Sequence, residues 1–155
     1  MEQNITVTEL ENELVEALKE KETEAYALLN VSAKDNPEDI VKTIRKYVDK
    51  VLSENHSEED LREYALRLGS LWGEMVVRHY KWAWKYLDFG EDGGGIYIVS
   101  PNAYYCCPPL YFLTKILLGN NSGLDGRNDN TVMLLFNMIE GIENNKPNTN
   151  YQVIS

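Results

Sequence analysis

Two histidines and two adjacent cysteines are the side chains of this sequence best suited to nucleophilic or metal chemistry: His56, His79, Cys106 and Cys107. A cysteine nucleophile needs a base within reach and a depressed pKa. Cys107 precedes Pro108 at the start of an expected helix, where the dipole favours a thiolate, and His79 is the candidate base. Two features oppose this. Strand alternation sends the two thiols to opposite faces. The pair is not a Cys-x-x-Cys, and zinc needs three or four ligands at suitable spacing. The expectation is two free thiols acting as small buried hydrophobes, a structural His79 and a surface His56. No catalytic residue, metal or cofactor is assigned.

Three further segments carry motif-like letters without motif context. Gly93-Gly94-Gly95 lacks the lysine and hydroxyl residue of a phosphate loop, and a strand follows it, not a helix. Asp88-Phe89-Gly90 matches a kinase triplet but has none of the surrounding kinase signatures. The loop from Gly119 to Asn130 holds Asp125 and Asp129 without the ligand spacing of an EF-hand. All three read as turns.

The aromatic residues are more informative. Ten of the 16 fall between positions 80 and 112. The run Tyr80-Lys81-Trp82-Ala83-Trp84-Lys85-Tyr86 predicts a strand over about 80–87, with Tyr80, Trp82, Trp84 and Tyr86 on one face. Most of that face is expected in the core. Tyr and Trp also carry polar tips and are enriched at binding hot spots. Trp82, Trp84, Tyr86 and Tyr104 are therefore candidate binding residues. Glu74 joins them, because it follows Gly73 on the preceding helix. If buried it needs a cation such as Arg78, four residues on, or Lys81. Glu58, Glu59 and Asp60 complete the set as an exposed acidic cluster.

Helices must position these residues in the first half. Thr6 to Glu9 and Thr8 to Glu11 both have capping-box spacing, so a first helix is expected to run to about Asn30. Asn36-Pro37 is an N-cap with proline at the first helical position. Behind it Ile40, Ile44, Tyr47, Val48 and Val51 keep helical spacing. Ser57 caps a third helix with Leu61, Ala65, Leu68 and Trp72 inward. Gly69 and Gly73 share one face of it and predict close approach by another element.

The second half changes character. A strand is expected at Ile96–Ser100 and a short one at Ala103–Cys107. Pro108-Pro109 then opens a helix that stops at Gly119. A last helix buries Val132, Leu135, Phe136 and Ile139. Tyr151, Val153 and Ile154 are able to dock as an edge strand. The predicted fold class is α+β: N-terminal helices packed on a three-stranded antiparallel meander, followed by two C-terminal helices. Residues 1–155 form one domain, divided into a helical region over 1–79, a sheet over 80–107, helices over 108–143 and a tail over 144–155.

Charge bounds the partners. The 155 residues carry a net charge of −10. Residues 1–64 hold 17 acidic and 8 basic side chains, a net of −9. Such a surface repels nucleic acid and anionic membrane and attracts basic proteins. Apolar runs are only a few residues long, so no membrane span is expected. Met-Glu-Gln-Asn-Ile-Thr does not read as a secretory signal. With two neighbouring cysteines, a reducing, cytoplasmic setting is expected.

One segment has a family likeness. Leu68-Gly69-Ser70-Leu71-Trp72-Gly73-Glu74, then Trp82 and Trp84, Val99-Ser100-Pro101 and Pro108-Pro109, resembles a loosely defined group of small bacterial proteins. Proteins of that kind are found among the immunity proteins of toxin–immunity systems. The likeness covers about residues 65–118. It implies the helix–strand–strand–helix architecture and, more distantly, a cognate toxin as protein partner. The functional expectation is a non-enzymatic acidic binding protein, monomer or homodimer. The alternative is a domain that binds a small molecule or peptide in an aromatic groove.

Overall fold

The computed structural model of the chain describes residues 4–119 and 129–155. Its elements run β1 (Thr6–Thr8), α1 (Asn12–Leu29), α2 (Pro37–Leu52), α3 (Glu58–Tyr80), β2 (Ala83–Asp88) and β3 (Gly94–Val99). After them come β4 (Tyr105–Cys107), α4 (Pro109–Leu118), α5 (Asp129–Glu143) and β5 (Gln152–Val153). The expected loop at 119–130 lies mostly outside the described residues. Among the described residues no helix is long and apolar enough to cross a membrane.

Local signals account for three of the helix ends. The Asn36 side chain accepts the Glu38 backbone N–H at 2.9 Å, with Pro37 in the first turn of α2. The Ser57 hydroxyl accepts the Asp60 N–H at 3.1 Å and starts α3. Each satisfies a donor that the helix cannot use internally. Gly119 closes α4 in the left-handed conformation.

The sheet differs from the expectation in extent. Its order is β1-β2-β3-β4-β5. The predicted antiparallel meander is its centre, β2-β3-β4. The tail adds β5 parallel to β4, with Tyr105 opposite Gln152 and Cys106 opposite Val153. At the other edge β1 pairs antiparallel with β2, placing Thr6 opposite Asp88 and Thr8 opposite Tyr86. This corrects the capping-box reading of Thr6 and Thr8. The β-branched run Thr6-Val7-Thr8 instead satisfies the open edge of β2, and α1 starts later, after Glu11, with no side-chain cap.

The aromatic run is corrected as well. α3 continues through Tyr80, and Lys81 takes a left-handed conformation with φ of 66°. The chain turns there, so β2 begins only at Ala83 and Tyr80 and Trp82 stand outside the strand. Trp72 and Trp82 are buried, Trp84 and Tyr80 half-buried, and Tyr86 exposed.

The core lies between the helices and one sheet face. It joins Ile40, Ile44 and Val48 of α2, Leu68, Trp72 and Met75 of α3, Phe112 and Ile116 of α4, Phe136 of α5, and Ile98 and Cys107 of the sheet. On the opposite sheet face Leu87, Phe89, Val99 and Cys106 form a smaller cluster, covered by Ile5, Val7, Tyr97 and Tyr151. α3 is the central helix. From Leu68 to Val76 every residue is buried except Glu74. The two glycines permit this, as predicted. A Cβ on Gly69 would lie 2.9 Å from the Pro109 carbonyl oxygen, and one on Gly73 would lie 2.5 Å from the Trp84 ring.

Candidate functional site

The one charged residue on the buried stretch of α3 leads to the site. Glu74 emerges where α1, α3 and the start of β2 meet around a cleft of about 440 Å³. Helical spacing stacks Ser70, Glu74 and Arg78 along one face of α3, and Glu22 and Tyr26 along α1. β2 contributes Trp84, whose ring seats against Gly73.

All of these except Ser70, which bonds the Leu66 carbonyl, form one hydrogen-bonded network. Arg78 Nε donates to Glu74 Oε2 at 3.1 Å. Its two terminal nitrogens donate to Glu22 Oε1 at 3.1 Å and to the Ala33 carbonyl at 2.9 Å. The Tyr26 hydroxyl donates to Glu22 Oε1 at 2.8 Å. Trp84 Nε1 donates to Glu74 Oε1 at 3.1 Å. Leu10, Val15 and Leu18 supply an apolar wall. A concave, mostly apolar space of this size with a few convergent polar groups is the usual form of a ligand site.

Burial sets the electrostatics. The Glu22 side chain is 14 % exposed. Desolvation pushes its carboxyl up, against the opposing effects of the Tyr26 hydrogen bond and the Arg78 charge. Burial, and then Glu22, push the Tyr26 hydroxyl well above its ordinary range. Desolvation disfavours the Arg78 charge, but Tyr26, Glu74 and Glu22 together outweigh it and raise its pKa.

The structure brings only two of the predicted site residues together here, Glu74 and Trp84. Arg78 was foreseen as the partner of Glu74; Lys81 instead turns the chain after α3. Trp82 is buried elsewhere and donates to Glu143 Oε2 at 2.9 Å. Tyr86 is exposed on β2, with its hydroxyl close to Gly94. Tyr104 is half-buried and stacks edge-on against Tyr105. Glu58, Glu59 and Asp60 are exposed in the first turn of α3, about 21–24 Å along the helix from Glu74 at 1.5 Å per residue. Glu58 pairs there with Arg62 at 2.8 Å. Glu22 and Tyr26 were not anticipated. Their four-residue spacing was the available signal, but on an acidic helix it does not stand out from solvated charges.

The nucleophile candidates lie outside this site. Cys106 and Cys107 are free and buried. Desolvation pushes Cys106 up to about 12 and Cys107 well above its ordinary value, the reverse of an activated thiolate. His79 packs on Tyr80 and Phe136 and lies 3.6 Å from Glu38. His56 bonds Glu54 at 3.0 Å and packs on Tyr64. Among the described residues no group of three His, Cys, Asp or Glu side chains converges as a metal set would.

A wider depression of about 800 Å³ lies over the smaller cluster on the other sheet face. Its walls are Phe89, Tyr97 and the tail residues Asn148 to Val153. No protein-family model, no curated protein and no solved structure matches the chain.

Proposed function

We propose that this chain is a non-enzymatic acidic binding protein of the cytoplasm, an immunity protein that neutralises a basic bacterial toxin domain. The observation that carries the reading is the exposed row Glu13, Glu16 and Glu20 on α1, the helix that also walls the cleft. A second acidic patch, Glu58, Glu59 and Asp60, opens α3. Complementary potential of this kind speeds encounter with a basic partner more than it deepens affinity. The buried thiols and the carboxylate-paired histidines support a binding role over catalysis, and the free cysteines suit a reducing compartment.

The test is co-expression with the product of the neighbouring gene, followed by binding kinetics at low and high salt. Lysine at Glu13, Glu16 and Glu20 together is expected to slow association, with the effect shrinking as salt screens the field. Binding indifferent to both salt and charge reversal refutes the electrostatic component. A neighbour product that is basic and toxic yet does not bind refutes the immunity role. The cleft favours one second reading, a small molecule or short peptide held against Trp84 and Tyr26.

A further inference from the structure

We propose that the cleft between α1, α3 and β2 is an anchoring pocket for one cationic side chain, arginine or lysine, from the basic surface of the partner. This rests on the binding function proposed above and names the chemistry of its site. Three observations carry it.

The first is an acceptor left over. Glu22 Oε1 takes both the Tyr26 hydroxyl and an Arg78 nitrogen. Among the described residues no hydrogen bond reaches Oε2, although the side chain is largely withdrawn from water. Buried acceptors are rarely left without a donor. Burial, and then the nearby Glu74 charge, raise the pKa of Glu22 in spite of Tyr26, Arg78 and Lys19, so its charge is under-compensated. An added cation would complete it.

The second is the state of Arg78. Nε and both terminal nitrogens already donate to Glu74, Glu22 and the Ala33 carbonyl. A guanidinium engaged on all sides has little left for an anionic ligand. The cleft is lined by Glu9, Glu22 and Glu74 against Lys19 and Arg78, so the balance of charge favours a cation.

The third is shape. Leu10, Val15, Leu18 and Trp84 all line the cleft of about 440 Å³. Arginine and lysine are built for such a space, with an apolar stem along the wall and a charged head at the carboxylate. An indole beside the head adds cation–π attraction. Glu9 lines the cleft itself, and the exposed acidic row of α1 adds to the field that draws basic surfaces to this helix.

The test reads the indole N–H signals in an NMR titration of the full chain. The three tryptophans are distinguishable by their acceptors: the Val132 carbonyl for Trp72, Glu143 for Trp82 and Glu74 for Trp84. The probes are n-butylguanidinium and n-butylammonium, with n-butylurea as the neutral match. Both cations are expected to shift the Trp84 signal saturably while Trp72 and Trp82 stay still. n-Butylurea at equal concentration should leave all three unmoved. Glu22→Gln should weaken the cations about tenfold, the usual scale for losing a charged hydrogen bond. If that variant disturbs the Trp72 and Trp82 signals, the wild-type titration decides alone. No saturable Trp84 shift, or an equal shift with n-butylurea, overturns the proposal. A toxin complex that forms and leaves Trp84 unmoved also overturns it, with the immunity role intact. A probe-induced shift in a chain that binds no toxin upholds the pocket and refutes the immunity role.

Discussion

Gly73→Ala is the sharpest probe of the site's architecture, because the sign of its effect is set by the cleft. In an open helix the change would stabilise by about 1 kcal/mol, since alanine restricts the unfolded chain. Here the new methyl carbon would lie 2.5 Å from Trp84 Cη2, 2.8 Å from Cζ2 and 2.9 Å from Pro109 Cγ. Carbon atoms prefer about 3.5–4.0 Å, so the misfit is roughly 1 Å. Overpacking of that size costs about 1–3 kcal/mol. The indole can escape only by moving, which breaks its 3.1 Å bond to Glu74. A hydrogen bond to a charged group contributes about 1.5–3 kcal/mol, and the half-exposed setting puts this one at the low end. Set against the gain in propensity, the net loss is about 2 kcal/mol. For a chain of this length that is roughly 4–8 °C in melting temperature. Urea unfolding followed by tryptophan fluorescence and circular dichroism measures it. Two other helical glycines serve as controls. A Cβ on Gly141 meets nothing within 4 Å, so Gly141→Ala should stabilise by up to about 1 kcal/mol. A Cβ on Gly69 meets the Pro109 carbonyl oxygen at 2.9 Å and Leu110 Cα at 3.0 Å. Backbone cannot swing aside, so Gly69→Ala should cost more than Gly73→Ala. A Gly73→Ala protein as stable as the parent, with its Trp84 signal unmoved, refutes the seating of Trp84 on α3.

Two further outcomes test the core. Trp72→Ala should cost about 3–5 kcal/mol in denaturant unfolding, because the ring is fully buried and its N–H reaches the Val132 carbonyl; a cost under about 1 kcal/mol would place Trp72 outside the core. The thiols of Cys106 and Cys107 should resist alkylation at pH 8 in the native protein and count two per chain once denatured. The same burial sets an alkaline limit. Cys106 is raised from 9.0, and Tyr47 and Tyr80 from 10.0, each to about 12. A raised folded pKa means that the fold favours the protonated form. Its contribution is whole below the unfolded value and is lost as pH rises through the folded one. Melting temperature should therefore fall between about pH 9 and pH 12, and a flat profile there would contradict the burial of these groups.

What was legible in the sequence was local. Asn36-Pro37 and Ser57 state their caps within three residues, and the structure places both helices where those caps begin. Gly69 and Gly73 also spoke locally, since only a close neighbour justifies two glycines on one helix face. Thr6 and Thr8 show where local reading fails. Capping-box spacing and an edge strand are both compatible with Thr-Val-Thr, and the unpaired edge of β2, some 80 residues away, decides between them. The aromatic run failed for a related reason. Alternation predicts faces only inside a strand, and the turn at Lys81 removed Tyr80 and Trp82 from it. The cleft was the least legible feature. Glu22 is one of many acids on α1, and no pattern within that helix separates it from Glu16 or Glu20. It becomes distinct when α1 packs against α3 and meets Arg78, 56 positions later. Burial then turns a solvated acid into a constrained one with a spare acceptor. The residues of the cleft are therefore ordinary in sequence and exceptional only in their surroundings.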